Sequence, residues 1–560
     1  MMRGARTRAL SASVCASLLL VAGAAGAQAA APSSVIVSAR DASVLPSGAR
    51  YVAQLAPGLR YYVLPVPSGK RVGSYADALS AREGVYAAQP NTRLRRDALA
   101  SPCSDPPSIN GAQRLATAVN ALSVQAPGPT PPVAVLDTGV DPTVPELSGR
   151  VRAGVNAVDD SADTSDTDGH GTEVASVVAA AAGRFQGVSP TTPILPIKIY
   201  NRSSETTVDW VVKGIEAAVN ARAPIINISS SNPAADVAAT DASVLQQAIT
   251  AAFARGTITV VSAGNEGKSA AAIPGSLERV LTVGSATADG TRDPFSNFGP
   301  WVDIVSPGAD LVLPAPPNVC STGYGSASGT SFSAPAVAGA GALMLAMRPE
   351  LNAQQLYDLL RLFSAKELYA PGRDDDSGFG LLSVADGVSA TLPTRQTTEV
   401  DDDVFWLKQD RKKHPTLLGK TRLLRLKSSI QPGKDPSDVF PVALKKGELL
   451  TVTVAGAKST GLISIGIWSP NTGSFDVSSG RATSLIKDTG GFTNTPAVGY
   501  RATRNGTFYV SIEGPDLPTP PAATDDTTVK PVEVEAYTRY ALTLRKTPAT
   551  KPKKKKKKQK

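Results

Sequence analysis

Between about residues 110 and 388, short apolar runs alternate with stretches of helical periodicity, and no other feature of the chain restricts its fold as much. The runs include Val133 to Leu136, Ile194 to Ile199, Ile225 to Ile228, Ile258 to Val261 and Val280 to Val283. Helical patterns over Glu173 to Ala182, Val208 to Ala221 and Ser243 to Arg255 fall between them. Strands that are apolar throughout need cover on both faces. The order therefore predicts an α/β domain, a parallel sheet with helices on either side. Reactive groups in such sheets gather beyond the carboxyl ends of the strands.

The chain has 560 residues, too many for that domain alone. It opens with Arg3, Arg6 and Arg8, a short apolar stretch, and small residues around Ala27 to Ala31. That pattern reads as a secretory signal over residues 1–31, with a membrane anchor as the alternative. Residues 32–100 read as a small α+β leader, with strand-like Val35 to Val37 and Tyr61 to Leu64 and a helix near Tyr75 to Ala81. Arg93, Arg95 and Arg96 follow, and Pro102, Pro106 and Pro107 mark a boundary. Residues 101–388 hold the α/β domain and 389–437 read as a linker. Residues 438–547 read as an all-β sandwich, with strands near Val439 to Leu444, Leu449 to Val454, Leu462 to Trp468, Thr507 to Ile512 and Tyr540 to Leu544. The lysine-rich tail, 548–560, is expected to be disordered. After the signal, no segment reads as a membrane span.

The net charge of +9 misleads unless it is placed. Three arginines lie in the signal, residues 31–97 carry a balance of +5, and the tail holds eight lysines; removing these leaves −7 for residues 98–550. An acidic body with a basic leader and tail, and no aromatic-basic stacking surface, gives no sign of nucleic-acid binding. Cys15 lies in the signal, so Cys103 and Cys320 remain, and whether they pair is open at this level.

Three segments place a reactive group beside a regular element. Val133-Ala134-Val135-Leu136-Asp137-Thr138-Gly139 delivers a carboxylate from a buried strand. Asp168-Gly169-His170-Gly171-Thr172 sets an imidazole between glycines at a helix start. Gly329-Thr330-Ser331-Phe332-Ser333-Ala334-Pro335 opens a helix rich in small residues, where Pro335 falls in the first turn. Singly each has a bland reading: a turn, a chance Gly-His-Gly, a serine cap. Together they narrow the choice, because the only other histidine is His414, in a basic Pro-flanked stretch. A multi-histidine zinc site does not fit.

In the order Asp, His, Ser, the three segments resemble the signature motifs of subtilisin-like serine proteases. The resemblance covers about residues 110–388. It implies a serine endopeptidase working through an acyl-enzyme, with Ser331 as nucleophile, His170 as general base and acid, and Asp137 fixing the imidazole tautomer. Ser262-Ala263-Gly264-Asn265-Glu266-Gly267 resembles the oxyanion segment, with Asn265 as donor and Ala263 and Gly264 beside the substrate. Ile226-Asn227-Ile228-Ser229-Ser230-Ser231 resembles the strand that pairs with an extended peptide, which assigns substrate contact to Ser229, Ser230 and Ser231. The serines depart from the usual Leu-Gly there and argue against a deep aromatic-accepting pocket. Glu173 and Ala336 replace histidines common in the family.

No organic cofactor is implied. The loop that carries a calcium site in many relatives is short here, although Glu146 matches one of its acidic ligands. Asp159, Asp160, Asp163, Asp166 and Asp168 form a second candidate calcium loop, whose other readings are a solvated acidic loop or an attractor of basic substrate side chains. Gly84 to Asn91 resembles the end of an inhibitory propeptide, cut by the enzyme itself between Asn91 and Cys103. The opposite charges of leader and body fit that pairing. The partners expected are protein or peptide substrates, the chain's own propeptide, and an anionic cell-surface polymer at the lysine tail, which could equally be an inert solubilising segment. The C-terminal region resembles bacterial pre-peptidase C-terminal domains. The competing functional reading is a catalytically silent binding protein on the same fold.

Overall fold

A computed structural model describes residues 33–96, 102–106, 114–181, 184–233, 242–269, 272–368, 374–390, 416–430, 437–455, 463–470, 485–488, 496–513 and 538–548. The expected signal segment, His414, most of the expected linker and the lysine run lie outside the described residues.

The leader forms an antiparallel sheet of Arg50–Ala56, Leu59–Pro65, Ser34–Ala39 and Val85–Pro90, in that spatial order. Helix Val72–Ser80 covers it with Tyr75, Ala76 and Leu79. Beyond Pro90 the chain continues as strand β1 (Arg93–Arg96), which leaves the leader sheet and joins the next domain.

That domain is a nine-stranded, mainly parallel sheet. Its central members are β2 (Val133–Asp137), β3 (Ile194–Lys198), β5 (Ile225–Ile228), β7 (Ile258–Ser262), β8 (Val280–Ser285) and β9 (Ile304–Ser306). The short strands β4 (Thr206–Thr207) and β6 (Ser230–Pro233) stand outside it. All six central strands are buried at every position, which is why they read as continuous apolar runs rather than alternating ones. The chain goes from β2 to β3 on one side and then crosses to β5 on the other. β2 therefore lies where the strand order reverses, the usual place for a crevice at the strand ends.

Helices α1 (His170–Ala179) and α4 (Thr330–Met347) pack on one face of the sheet, and α2 (Val208–Asn220) and α3 (Ser243–Ala254) on the other. α4 is long and apolar enough to cross a bilayer, contrary to the reading from sequence, but it is buried in the core. Cys103 and Cys320 are disulfide-bonded, with 5.3 Å between their Cα atoms.

The C-terminal region holds two four-stranded antiparallel sheets. Phe440, Val442, Leu450, Val452, Phe508 and Leu542 from both sheets share one apolar cluster. One strand, Leu423–Ile430, falls within the expected linker and pairs along its length with Thr538–Thr547. Its signal was hidden because Arg425 and Lys427 alternate with Leu424 and Leu426, the two leucines that pack against the cluster.

Candidate active site

β2 ends at Asp137, which is fully buried. Its Oδ1 accepts from Thr138 N–H and meets His170 Nδ1, both at 2.7 Å. A carboxylate oxygen only accepts, so Nδ1 carries the hydrogen and Nε2 holds the basic lone pair. The His170 ring lies 5.6 Å, centroid to centroid, from Phe332, the residue after Ser331. Ser331 is buried in the first turn of α4. Its carbonyl accepts from Ser229 Oγ at 2.8 Å, and its own Oγ makes no hydrogen bond among the described residues.

The approach of α1 to β2 depends on Gly171. A Cβ there would lie 2.1 Å from the Gly139 carbonyl oxygen, closer than any side chain permits. Asp166 fixes the same junction. Its Oδ1 accepts from Thr138 Oγ1 (3.0 Å), Asp168 N–H (3.0 Å) and Gly169 N–H (2.9 Å). Its Oδ2 accepts from Thr172 N–H (2.9 Å) and Thr172 Oγ1 (2.7 Å). One buried carboxylate thus ties the residue after Asp137 to the first turn of the His170 helix and neutralises amides that the helix leaves unpaired.

Asn265 follows β7. Its Oδ1 accepts from both the N–H and the Oγ1 of Thr330, each at 2.9 Å. With the oxygen held by two donors, the NH2 end is the one left to donate. Asn297 holds this loop: its Oδ1 accepts from Glu266 N–H and Lys268 N–H, each at 3.1 Å, and its Nδ2 donates to the Ala263 carbonyl (3.2 Å) and the Glu266 carboxylate (2.6 Å). A Cβ on Gly264 would lie 2.3 Å from Asn297 Nδ2 and 3.2 Å from Ser231 Oγ, so Ser231 narrows the space beside Gly264. Ser230 Oγ and the Tyr200 hydroxyl are hydrogen-bonded at 2.5 Å.

β6 contains Ser230 and Ser231, and β1 lies antiparallel to it, with Arg96 opposite Ser230 and Arg95 opposite Ser231. β4 flanks the other edge of β1, with Leu94 opposite Thr206 and Arg93 opposite Thr207. β1 therefore lies between β4 and β6, paired with both.

The acidic loop does not gather its carboxylates. Asp159 bonds Ser161 N–H, Asp163 bonds Ser165 N–H, Asp160 meets Lys213, Asp168 accepts from Ser204 Oγ, and Asp166 is committed as above. Among the described residues no group of three or more His, Cys, Asp or Glu side chains is placed to share a metal ion. Glu146 is buried and accepts from the Tyr324 hydroxyl. Burial first, then that hydrogen bond and the nearby carboxylate charge, raise the Tyr324 pKa well above the ordinary phenol range.

Sequence reasoning missed Asp166 as a positioning group, and Asn297 altogether. The Asx-type spacing of Asp166 ahead of Gly169 was the available signal for the first. Asn297 offered none, because its partners lie about 30 residues away.

Residues 128–380 match the family model described as the subtilase family, Peptidase S8. A thermophilic serine proteinase of Bacillus sp. (strain AK1) is 36% identical over 215 residues, 38% of this chain and 51% of that one. Subtilisin DY of Bacillus licheniformis is 33% identical over 234 residues, 41% of this chain and 81% of the relative. The crystal structure of the epidermin leader peptide processing serine protease from Staphylococcus aureus superposes with a TM-score of 0.52 at 20% identity, covering 65% of this chain and 99% of that one, which shows the shared fold. The chain belongs to the subtilase family of serine endopeptidases.

Proposed function

We propose that this chain is a secreted endopeptidase, made as a zymogen that processes itself, with Asp137, His170 and Ser331 as its catalytic triad. The observation that carries the reading is the buried 2.7 Å contact between Asp137 and His170 Nδ1, set against the first turn of α4, which holds Ser331. His170 Nε2 takes the Ser331 proton as Oγ attacks the scissile carbonyl, and later returns it to the leaving amine. Asp137 holds the imidazole and stabilises its cation. The oxyanion forms between the Asn265 amide and Ser331 N–H, at the amino end of α4, where the helix dipole favours negative charge. The acyl-enzyme is then hydrolysed by water.

Contacts of the leader support its role as intramolecular inhibitor. Gln89 Oε1 accepts from Val244 N–H (2.7 Å) and Leu245 N–H (3.4 Å) at the start of α3. Asn91 bonds Asp209 at the start of α2 in both directions, accepting from its N–H at 3.0 Å and donating to Oδ1 at 2.9 Å, while Arg50 pairs with the same carboxylate at 2.9 Å. The leader so caps the amino ends of two helices whose first amides have no intrahelical acceptor. The disulfide fits an oxidising compartment, in keeping with a signal over residues 1–31. Two four-stranded sheets that share one apolar cluster support reading the C-terminal region as a β-sandwich, and the eight lysines of the tail suit an anionic surface polymer or a solubilising segment.

Mass spectrometry of the expressed chain tests the central reading. The wild type should trim itself between Asn91 and Cys103, and Ser331→Ala should stay uncut there. Equal trimming in both would remove self-processing.

A further inference from the structure

We propose that Glu205 is a specificity residue, selecting peptides with a basic side chain immediately before a buried aliphatic anchor. The inference deepens the endopeptidase reading, since it takes β1 as the pattern of a substrate strand. Between β4 and β6, Leu94 is 2% exposed and joins the apolar cluster that includes Tyr200, Val208 and Ile228. That is the anchor. One residue earlier, the Arg93 guanidinium pairs with Glu205 Oε1 at 2.6 Å. Asn232 Nδ2 donates to the Arg93 carbonyl, which fixes the strand register at this residue.

Glu205 is also held by Asn201, from its own segment of chain. Its N–H donates to Asn201 Oδ1 at 3.0 Å, its carbonyl accepts from Asn201 N–H at 3.0 Å, and its Oε2 accepts from Asn201 Nδ2 at 3.4 Å. The carboxylate keeps Oε1 for the guanidinium, so little side-chain entropy remains to be lost on pairing. When the leader departs, the apolar slot and Glu205 become available to any strand that adds between β4 and β6 in the same register. Arg93 and Glu205 are 48% and 41% exposed, so water screens the pair and its contribution is modest. The preference for a basic residue should reach about fivefold at low ionic strength. Loss of the aliphatic anchor should cost about tenfold or more.

The test uses quenched-fluorescent peptides that copy the sequence around residues 93 and 94, carrying Arg-Leu, Ala-Leu, Glu-Leu or Arg-Ala at those two positions. They are cut by active wild-type, Glu205→Gln and Glu205→Arg enzymes, normalised by fluorophosphonate titration. Wild type should rank Arg-Leu above Ala-Leu above Glu-Leu in kcat/KM. The Arg preference should vanish in Glu205→Gln, invert in Glu205→Arg, and fade at about 1 M salt, where the Debye length is about 3 Å. An Arg-to-Ala ratio unchanged by Glu205→Gln overturns the proposal. Hydrogen exchange on the full-length Ser331→Ala chain reads the same contact without catalysis: amides of residues 93–95 should exchange faster in Glu205→Gln, and unchanged rates also overturn it. If exchange responds but no peptide is cut by any variant, the subsite stands and the endopeptidase reading falls instead.

Discussion

Replacing Asp166 by asparagine isolates what holds the Asp137 and His170 segments together. The carboxylate accepts five hydrogen bonds, three at Oδ1 and two at Oδ2. An asparagine placed with its oxygen at Oδ1 keeps the first three and turns its NH2 toward Thr172. There the N–H becomes a donor facing a donor, and Thr172 Oγ1 already accepts from Asp141 N–H at 3.0 Å. Hydrogen bonds to a charged group contribute about 1.5–3 kcal/mol each, and a buried donor left unpaired costs about 1–3 kcal/mol. Partial relaxation recovers some of this, so the expected loss is about 2–4 kcal/mol. It is measured by urea unfolding in a Ser331→Ala background, which prevents autolysis. In the active enzyme the start of α1 should shift, and a displacement of about 1 Å at a catalytic base costs on the order of a hundredfold in rate. The loss should appear in kcat with KM nearly constant. A stability change below about 0.5 kcal/mol together with an unchanged kcat would refute the positioning role.

Other outcomes follow from the same geometry. Asn265→Ala should lower kcat with little change in KM, by about 2.7–4 kcal/mol in the barrier, a magnitude taken from the corresponding donor in subtilisin rather than worked from this site; steady-state kinetics on one peptide checks it. Asn297→Ala should produce a smaller loss of the same kind, because it frees the loop without removing the donor. Cys103→Ser should destabilise the chain by about 2–4 kcal/mol, since the bond closes a loop of 217 residues; unfolding with and without reductant should then coincide for the variant. Raising the Tyr324 pKa means that the folded chain keeps a proton the unfolded chain loses. Stability should therefore be intact below about pH 10 and fall as pH rises above it, with a shallower fall in Tyr324→Phe, followed by alkaline unfolding monitored by circular dichroism.

The α/β domain was legible because buried parallel strands leave unbroken apolar runs, and the segments that bring Asp137 and His170 together because each sets a polar residue beside glycines. What connects them was not. Asp166 read as one acid in an acidic loop, since its tie to the Asp137 segment comes from Thr138, 28 residues back. Asn297 carries no local pattern. The Cys103–Cys320 pair stayed open because a separation of 217 residues says nothing about proximity. Glu146 matched a calcium ligand in sequence, yet its carboxylate meets a tyrosine hydroxyl, a partner only tertiary packing supplies. Strand Leu423–Ile430 reads as linker because Arg425 and Lys427 alternate in sequence with Leu424 and Leu426, the leucines that pack against the cluster.

The most direct test of the account is the reaction of the folded, processed chain with a fluorophosphonate, followed by peptide mapping. The account predicts a single adduct on Ser331, abolished by Ser331→Ala and greatly slowed by His170→Ala. No adduct on a folded wild-type protein, or an adduct whose rate ignores His170, would contradict it.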